Sequence, residues 1–168
     1  MSSLFLTLLL ALPVVGFIVI LLTPRKNEAF IKWTAVVFST ITFLASLYLL
    51  VVPFGRSGGF HWTVKVDWIP SANISYAVGV DGLSIWLVLL TTLISPIASL
   101  SSWTAIEDRV KEYYAFMLLL ETGMLGVFMA LDLFLFYIFW EFTLVPMYFL
   151  IGIWGGPRRQ YAAIKFFL

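Results

Sequence analysis

Asp132–Trp154 reads DLFLFYIFWEFTLVPMYFLIGIW, an apolar and aromatic run that contains one acid, Glu141. At 1.5 Å of rise per helical residue, Glu141 would lie roughly 14 Å from Asp132, near the middle of a hydrocarbon core about 30 Å thick. An ionisable side chain at that depth costs at least about 2.5 kcal/mol and usually faces a protein interior or a water-filled cavity. Five residues later, Pro146 removes a backbone donor and frees the carbonyl of Phe142. An acid beside a helix defect indicates a transport path rather than a simple anchor.

The composition of the whole chain is that of a membrane protein. Hydrophobic residues make up 62% and charged residues 11%, whereas a soluble domain has about 25% charged residues. The net charge of +1 argues against nucleic acid as a partner. The chain has no cysteine, which excludes disulfides, thiol nucleophiles and cysteine-ligated clusters. The single histidine, His61, cannot form a histidine metal site alone.

The hydropathy pattern predicts an all-α polytopic membrane protein with five complete transmembrane helices and the start of a sixth. The predicted spans are Ser3–Thr23, Ile31–Val52, Gly82–Trp103, Tyr113–Leu131 and Asp132–Trp154. A single helix over the last two spans would be about 63 Å long, too long for one crossing. We therefore expect a tight helical hairpin at Asp132.

The sixth segment begins at Tyr161, and the sequence ends eight residues later at Leu168. A helix of that length cannot cross a bilayer. We interpret the sequence as the front part of a longer chain; the alternative is a protein that ends in a short stub.

A small extramembrane β-hairpin is predicted over about residues 60–80, between helices 2 and 3. Phe60–Trp68 reads FHWTVKVDW, in which apolar and polar residues alternate with the period of a half-buried strand. Tyr76, Val78 and Val80 repeat that alternation after a turn-forming Ile-Pro-Ser-Ala-Asn sequence. Asp81 is placed to cap the third helix.

The basic residues predict the topology. Eight fall in loops on one side of the predicted membrane and two, Arg56 and Lys65, on the other. By the positive-inside rule, the N-terminus and the hairpin lie outside. We expect a multi-pass protein of the bacterial inner membrane, or alternatively of the mitochondrial inner membrane. The eight are Arg25, Lys26, Lys32, Arg109, Lys111, Arg158, Arg159 and Lys165.

Glu121 and Glu141 are the candidate proton-carrying groups. If the fourth and fifth spans form a hairpin, Glu121 lies about 12 Å and Glu141 about 20 Å from the inner end. The two carboxyl groups would then differ in height by a turn or two. Burial and nearby cations shift a carboxyl group's proton affinity in opposite directions, as a proton relay requires. The alternative is that each acid is protonated and simply hydrogen-bonded within the bundle.

Three further side chains are candidates for the path. Tyr137 and Tyr148 fall on the helical face of Glu141. They either line a wet path or pack as aromatic bodies in the bundle core. Lys165 either snorkels to the inner surface or supplies a cation to an inward-facing half of the path. His61 and Asp67 in the hairpin are interpreted as solvated surface residues.

Three stretches resemble one known family. They are GVDGLSIWLVLLTT (79–92), LDLFLFYIFWEFTLVPMYFLIGIWGG (131–156) and YAAIKFFL (161–168). They are similar to the antiporter-like subunits of respiratory complex I, the NADH–quinone oxidoreductase, and are nearest to the subunit M and mitochondrial subunit 4 type. The outer hairpin before Gly79 also fits the family pattern, so the resemblance covers nearly the whole chain.

The resemblance implies a fourteen-helix proton-translocating subunit whose partners are the lipid bilayer and the other membrane-arm subunits of the complex. It implies that Glu141 is the fifth-helix glutamate, which pairs with a lysine of the seventh helix, beyond Leu168. Lys165 matches a lysine of the sixth helix. NADH, FMN, iron–sulfur clusters and quinone are expected in other subunits, with no cofactor and no metal in this chain.

The same resemblance implies a division at residue 112. Residues 1–112 would form an N-terminal three-helix region that includes the hairpin. Residues 113–168 would begin the first antiporter-like repeat, which is incomplete here.

Two other functions stay open at this point. One is a subunit of a multisubunit cation/proton antiporter or of a membrane-bound hydrogenase, which share the fold. The other is a structural subunit that only scaffolds the assembly.

Overall fold

The computed structural model describes residues 4–51 and 59–168, which form six helices and a two-stranded sheet. The predicted ends at Ser3 and Val52, and Arg56, lie outside these residues. A 3-10 turn over Leu47–Val51 extends the second helix. The helices are α1 (Phe5–Leu22), α2 (Glu28–Ser46), α3 (Ser84–Ser101), α4 (Val110–Met129), α5 (Leu133–Trp154) and α6 (Arg159–Phe167), and the strands are β1 (His61–Ile69) and β2 (Ile74–Val80).

Four of the segments in the described residues are long and apolar enough to cross a membrane by length and composition: α1, α2 with its 3-10 turn, α3 and α5. The fold is thus that of a mostly helical membrane protein with a small antiparallel hairpin, as predicted. α4 does not reach the same hydropathy, because Glu112 and Glu121 lie within its 20 residues.

The position of α4 explains how it tolerates these acids. It packs against α1, α2, α3 and α5, and it buries ten of its residues, including Tyr114, Leu118 and Leu125. A helix that is enclosed by other helices meets little lipid, so its own hydropathy need not be high. α4 is therefore the central helix of the bundle.

The predicted hairpin at Asp132 is confirmed. α4 ends at Met129, α5 begins at Leu133, and Asp132 is the N-cap of α5. Its carboxylate accepts hydrogen bonds from the backbone N–H groups of Phe134 and Leu135, at 2.9 and 3.1 Å. These are donors that a helix N-terminus leaves without intrahelical partners, so Asp132 both ends the turn and starts the helix.

The predicted β-hairpin is also confirmed, with β1 and β2 antiparallel. The chain reverses through a 3-10 turn at Pro70–Ala72 and through Asn73, whose φ of 54° is tolerated by a short polar side chain. The hairpin is docked on the helices: Leu131 N–H donates to the Ala77 carbonyl at 2.8 Å, and Ser75 N–H donates to Asp132 at 3.1 Å.

The expected half-buried face of β1 is only partly correct. Trp62 and Val64 pack against the bundle core, but Val66 and Trp68 are 57% and 54% exposed. The register shifts between His61 and Val64, where Trp62 adopts a φ of 60°. This bulge turns the strand, so its second half leaves the bundle surface. Sequence alternation alone does not show where a strand leaves its support.

The predicted cap of α3 is present. The Asp81 carboxylate accepts hydrogen bonds from the N–H groups of Ser84, at 2.7 Å, and Leu83, at 3.1 Å. The Ser84 hydroxyl accepts in return from the Asp81 N–H at 2.8 Å. The backbone N–H of Ser84 is the largest cause of a pKa of Asp81 below its ordinary value.

The loops predicted to face inside meet at one end of the bundle. Lys111 Nζ donates to the carbonyls of Leu21 and Thr23, both at 2.8 Å. Lys32 Nζ donates to the Trp103 carbonyl at 2.8 Å, and Arg25 pairs with Glu112. The β-hairpin lies at the opposite end, as the charge distribution predicts.

Candidate proton-translocation site

Glu141 lies on the face of α5 that is turned away from α4. The closest contacts of α5 with α4 run through Phe139 and Thr143, and at 3.6 residues per turn Glu141, two residues from each, is on nearly the opposite side. Glu141 is half-buried. The phenol of Tyr137, one turn earlier, interacts with its carboxyl group.

Tyr148 lies on the same face of α5, two turns toward the inner end. Its ring packs against Phe149 and against Phe167 of α6, with ring centroids 5.5 and 5.6 Å apart. A cavity of about 240 Å³ is lined by Tyr148, Ile164, Phe167 and Leu168. The tyrosine therefore packs as an aromatic body and at the same time lines a cavity on the Glu141 face.

Lys165 lies at the inner end of this face and does not reach Glu141. Gly152 is level with Ala163, which a Cβ on Gly152 would approach to 3.6 Å. By that register Lys165 is about nine residues, or roughly 14 Å, from the level of Glu141. Its Nζ lies 5.9 Å from the ring centre of Tyr161, and it lines a cavity of about 670 Å³ together with Arg158 and Arg159.

Two glycines set the close contact between α4 and α5. A Cβ on Gly123 would lie 2.8 Å from Thr143 Cγ2 and 3.2 Å from the Thr143 backbone nitrogen. A Cβ on Gly126 would overlap the ring of Phe139. The helices therefore approach closely at these two residues, where a larger residue would force them apart.

The same contacts fix the relative positions of the two acids. Because Gly123 is level with Phe142 and Thr143, Glu121 and Glu141 differ by three or four residues, about 5 Å along the axis. This is about one turn, at the lower end of the turn or two expected from the sequence. Glu121 is 1% exposed and lies on the side of α4 opposite Gly123. The structure thus places the acids about one turn apart in height but on different sides of the α4–α5 contact.

Pro146 is buried within α5, which continues without a break from Leu133 to Trp154. Its missing N–H leaves the Phe142 carbonyl without an intrahelical donor. The defect lies one turn from Glu141, as the sequence predicts, and takes the form of a lost bond inside a continuous helix.

A set of buried hydroxyl groups was not recognised as a candidate site from the sequence. Thr92, Ser95 and Ser99 of α3 are 0%, 8% and 2% exposed, and Ser46 of α2 is 0% exposed. The signal was the spacing of Thr92, Ser95, Ser99 and Ser102, which places one hydroxyl on the same helical face at each turn. These residues occupy the side of the bundle that Glu121 faces.

In the described residues no group of three His, Cys, Asp or Glu side chains could hold a metal ion. The side chains described at the site carry carboxyl, phenol and hydroxyl groups, which can exchange protons.

Comparisons with known proteins identify the family. Residues 130–168 match the family model described as "NADH:quinone oxidoreductase/Mrp antiporter, TM". The chain is 48% identical over 137 residues to NADH-quinone oxidoreductase subunit M of Rhodobacter capsulatus, an alignment that covers 82% of this chain and 26% of the relative. It is 38% identical over 161 residues to NADH-ubiquinone oxidoreductase chain 4 of Arabidopsis thaliana, covering 95% of this chain and 32% of the relative.

Solved structures show the same fold. A chain of respiratory complex I from Thermus thermophilus superposes with a TM-score of 0.76 at 29% identity, covering 98% of this chain and 32% of that chain. A chain of the Mrp complex from Dietzia gives 0.74 at 22% identity, covering 95% and 17%, which is a likeness of fold alone.

The sequence thus spans about a quarter to a third of the length of the curated relatives it matches. The similarity to subunit M and chain 4 covers most of its residues and includes the helix that carries Glu141. The part of the chain that carries Glu141, residues 130–168, matches the NADH:quinone oxidoreductase/Mrp antiporter membrane family.

Proposed function

We propose that this chain is part of a proton-translocating membrane-arm subunit of an NADH–quinone oxidoreductase, with Glu141 as the proton-carrying group. The observation that carries the proposal is the position of Glu141: a half-buried acid near the middle of an apolar helix, with a phenol against it and a proline one turn away. The sequence similarity to subunit M and chain 4 supports the same assignment.

The mechanism is electrostatic. Redox chemistry elsewhere in the complex changes the charge along the membrane arm. A cation that approaches Glu141 favours its ionised form, and a cation that withdraws favours the protonated form. A proton then leaves or returns through water and the Tyr137 phenol, which both donates and accepts hydrogen bonds.

The residues toward the inner end extend this path. Tyr148 lines the cavity between Glu141 and the inner surface. Lys165 lies closer to the inner surface, beside Arg158 and Arg159. About 14 Å separates Lys165 from the level of Glu141, too far for an ion pair. We therefore propose that the charge of Lys165 affects proton entry at the inner end of the path. The cation that pairs with Glu141 itself is proposed to come from the part of the relatives that this sequence does not include.

Five transmembrane crossings are part of the proposal. α4 connects the inner loop at Arg109 to the outer hairpin at Asp132, so it must cross with the four more apolar segments. The division into a three-helix region (1–112) and the start of an antiporter-like repeat (113–168) stays a prediction. α4 packs against α1, α2 and α3, so the boundary is not a gap in the packing.

We assign no redox step to this chain. It has no cysteine and one histidine, so its donor set does not fit an iron–sulfur cluster or a bis-histidine haem. The chain would take part in an enzyme reaction through proton movement, with NADH, FMN and quinone handled by other subunits.

The decisive experiment replaces Glu141 by Gln in the full-length protein, with Glu141→Asp as the matched control. We expect Glu141→Gln to assemble and to lose most NADH-driven proton pumping, because the amide has nearly the same shape and carries no exchangeable acid proton. Glu141→Asp should retain pumping. Normal assembly together with normal pumping in Glu141→Gln would reject the proposal and favour a scaffold.

A second candidate function is a subunit of a cation/proton antiporter, which the family description and the fold of the Mrp complex favour. The two functions differ in their energy source. NADH-driven pumping that is independent of sodium supports the first, and sodium/proton exchange without NADH supports the second.

A further inference from the structure

Glu121 is a buried acid that the proposed path through Glu141 does not use. It is 1% exposed, and its Oε1 is buried without a hydrogen-bond partner among the described residues. Such a group costs free energy unless something compensates it. Its surroundings therefore indicate what it binds.

The register of α3 and α4 shows what faces Glu121. Tyr114, two turns before Glu121 on the same face of α4, donates its hydroxyl to the Ser99 carbonyl at 3.2 Å. The helices are antiparallel, so two turns farther along α3 is Thr92, with Ser95 between. Glu121 thus lies level with Thr92 and Ser95, on the side where both are buried.

These residues continue as a line of hydroxyl groups to the inner surface, which we call the hydroxyl seam. It consists of Thr92, Ser95 and Ser99 of α3, of Ser102 directly after α3, and of Tyr113 and Tyr114 of α4. At its inner end the Tyr113 and Ser102 hydroxyls are 2.7 Å apart, and both residues are partly exposed. At its other end Thr92 is 2.8 Å from the Ser46 hydroxyl of α2.

The hydroxyl hydrogens next to Glu121 are already in use. Thr92 Oγ1 donates to the carbonyls of Val88 and Leu89, both at 3.1 Å, and Ser95 Oγ donates to Thr91 at 2.9 Å. The oxygens of these two hydroxyl groups can still accept a hydrogen bond. Pro96 adds a further acceptor, because its missing N–H leaves the Thr92 carbonyl without a helical donor.

An environment of acceptors fits a protonated carboxyl group, which has one O–H to donate, and does not fit a carboxylate, which only accepts. Among the residues that the structure describes, no charge compensates an ionised Glu121 either. α1 and α3 carry no ionisable side chain. On α2, Lys32 donates to Trp103 near the inner end, and on α4, Lys111 donates to the end of α1. Glu141 and Tyr137 lie beyond the α4–α5 contact.

We propose that Glu121 is a second proton-binding site, reached from the inner surface along the hydroxyl seam and separate from Glu141. A proton enters from water at Ser102 and Tyr113. Along the seam each hydroxyl turns from its backbone carbonyl, accepts a proton on its lone pair and releases its own through water to the next group, and the last proton is held on Glu121. Release runs along the same route in reverse, so atoms and charge balance without another reactant.

The test is infrared spectroscopy of the assembled complex in lipid, with the glutamate side-chain carboxyl carbons isotopically labelled. We expect a carboxylic-acid C=O band in the wild type that is lost in Glu121→Gln and retained in Glu141→Gln. A spectrum in which Glu121→Gln removes a carboxylate band instead would overturn the proposal, whatever Glu141→Gln does to pumping.

The route has its own measurement, the rate at which this band shifts after transfer from H₂O to D₂O. Thr92→Val, which removes a seam hydroxyl beside Glu121, should slow the shift several-fold. Thr34→Val is the matched control, because Thr34 is a buried threonine of α2 that bonds its own helix at Phe30. Equal rates in the two variants would contradict the seam as the route.

Discussion

Glu121 and Glu141 lie about one turn apart in height in the bundle, on different sides of the contact between α4 and α5. Gly123 and Thr143 fill the space between the two helices, and each carboxyl group points away from it. The acids therefore do not share one proton directly. Substitutions at the two positions should act on different readouts, which makes each role separately testable.

The first prediction concerns the phenol beside Glu141. Tyr137→Phe removes the hydroxyl that interacts with the Glu141 carboxyl group, and a hydrogen bond of this kind contributes about 1 kcal/mol. We expect proton pumping per NADH oxidised to fall a few-fold with normal assembly. Tyr48→Phe, whose ring packs against Phe5 and Trp62 far from the path, is the control and should stay near wild type. Equal losses in both variants would contradict a specific role for Tyr137.

The second prediction concerns the close helix contact. Gly123→Ala places a Cβ 3.2 Å from the Thr143 backbone nitrogen, and backbone atoms cannot move aside like the end of a side chain. We expect a loss of about 1–3 kcal/mol in the free energy of unfolding, the range for overpacking, measured by denaturant titration in detergent. Gly152→Ala meets Ala163 at an ordinary 3.6 Å and should be tolerated. A destabilising effect only at Gly152 would be inconsistent with this packing.

The third prediction is a pH dependence at the outer end. The backbone N–H groups of Ser75, Leu135 and Phe134, together with the Ser75 hydroxyl, hold the pKa of Asp132 below its ordinary value. Because the folded pKa is lowered, these bonds stabilise the structure above the unfolded pKa of about 3.9 and are lost as pH falls through the lower folded pKa. We expect the protection of the Ser75 amide, its exchange rate relative to the intrinsic rate at the same pH, to fall on acidification.

The control for this pH effect is a pair of variants. Asp132→Asn should show faster exchange at Ser75 at neutral pH and little further change in acid. Asp67→Asn, an exposed hairpin residue, should behave like the wild type. An acid-induced change that persists in Asp132→Asn would assign the effect to another group.

The fourth prediction concerns topology and uses cysteine labelling, since these 168 residues contain no cysteine of their own; any cysteine elsewhere in the full-length protein is first replaced by serine. A single cysteine at Lys26 should react with a membrane-impermeant thiol reagent added from the inner side. A single cysteine at Lys65 in β1 should react from the outer side, since β1 lies at the other end of the bundle. Labelling of both positions from one side would refute the positive-inside topology.

The helices, the hairpin at Asp132 and the β-hairpin could be predicted from the sequence because each has a local cause: apolar length, a capping aspartate, or alternation beside a turn. The neighbouring helix that the Glu121 side chain faces could not be predicted. Both Glu121 and Glu141 sit in apolar helices at similar depth, and only the Gly123 and Gly126 contact shows which side of each helix meets the other.

The second half of β1 and the hydroxyl seam escaped prediction for a related reason. Val66 and Trp68 continue the alternation of Trp62 and Val64, but the bulge at Trp62 carries them away from the bundle. Ser95 and Ser99 read as ordinary small residues of a membrane helix until Tyr114 and Glu121 are placed opposite them. In both cases the missing information is which neighbour a helix or strand faces.

The central position of α4 has a consequence for biogenesis. A segment that carries two glutamates partitions poorly into lipid alone, yet it is enclosed by α1, α2 and α3 once they are in place. During synthesis those three helices emerge first, so they are already in the bilayer and can pack against α4 when it follows. α4 would then leave the translocon by sliding directly against them, and a delay in α3 should send the nascent chain to quality-control proteases.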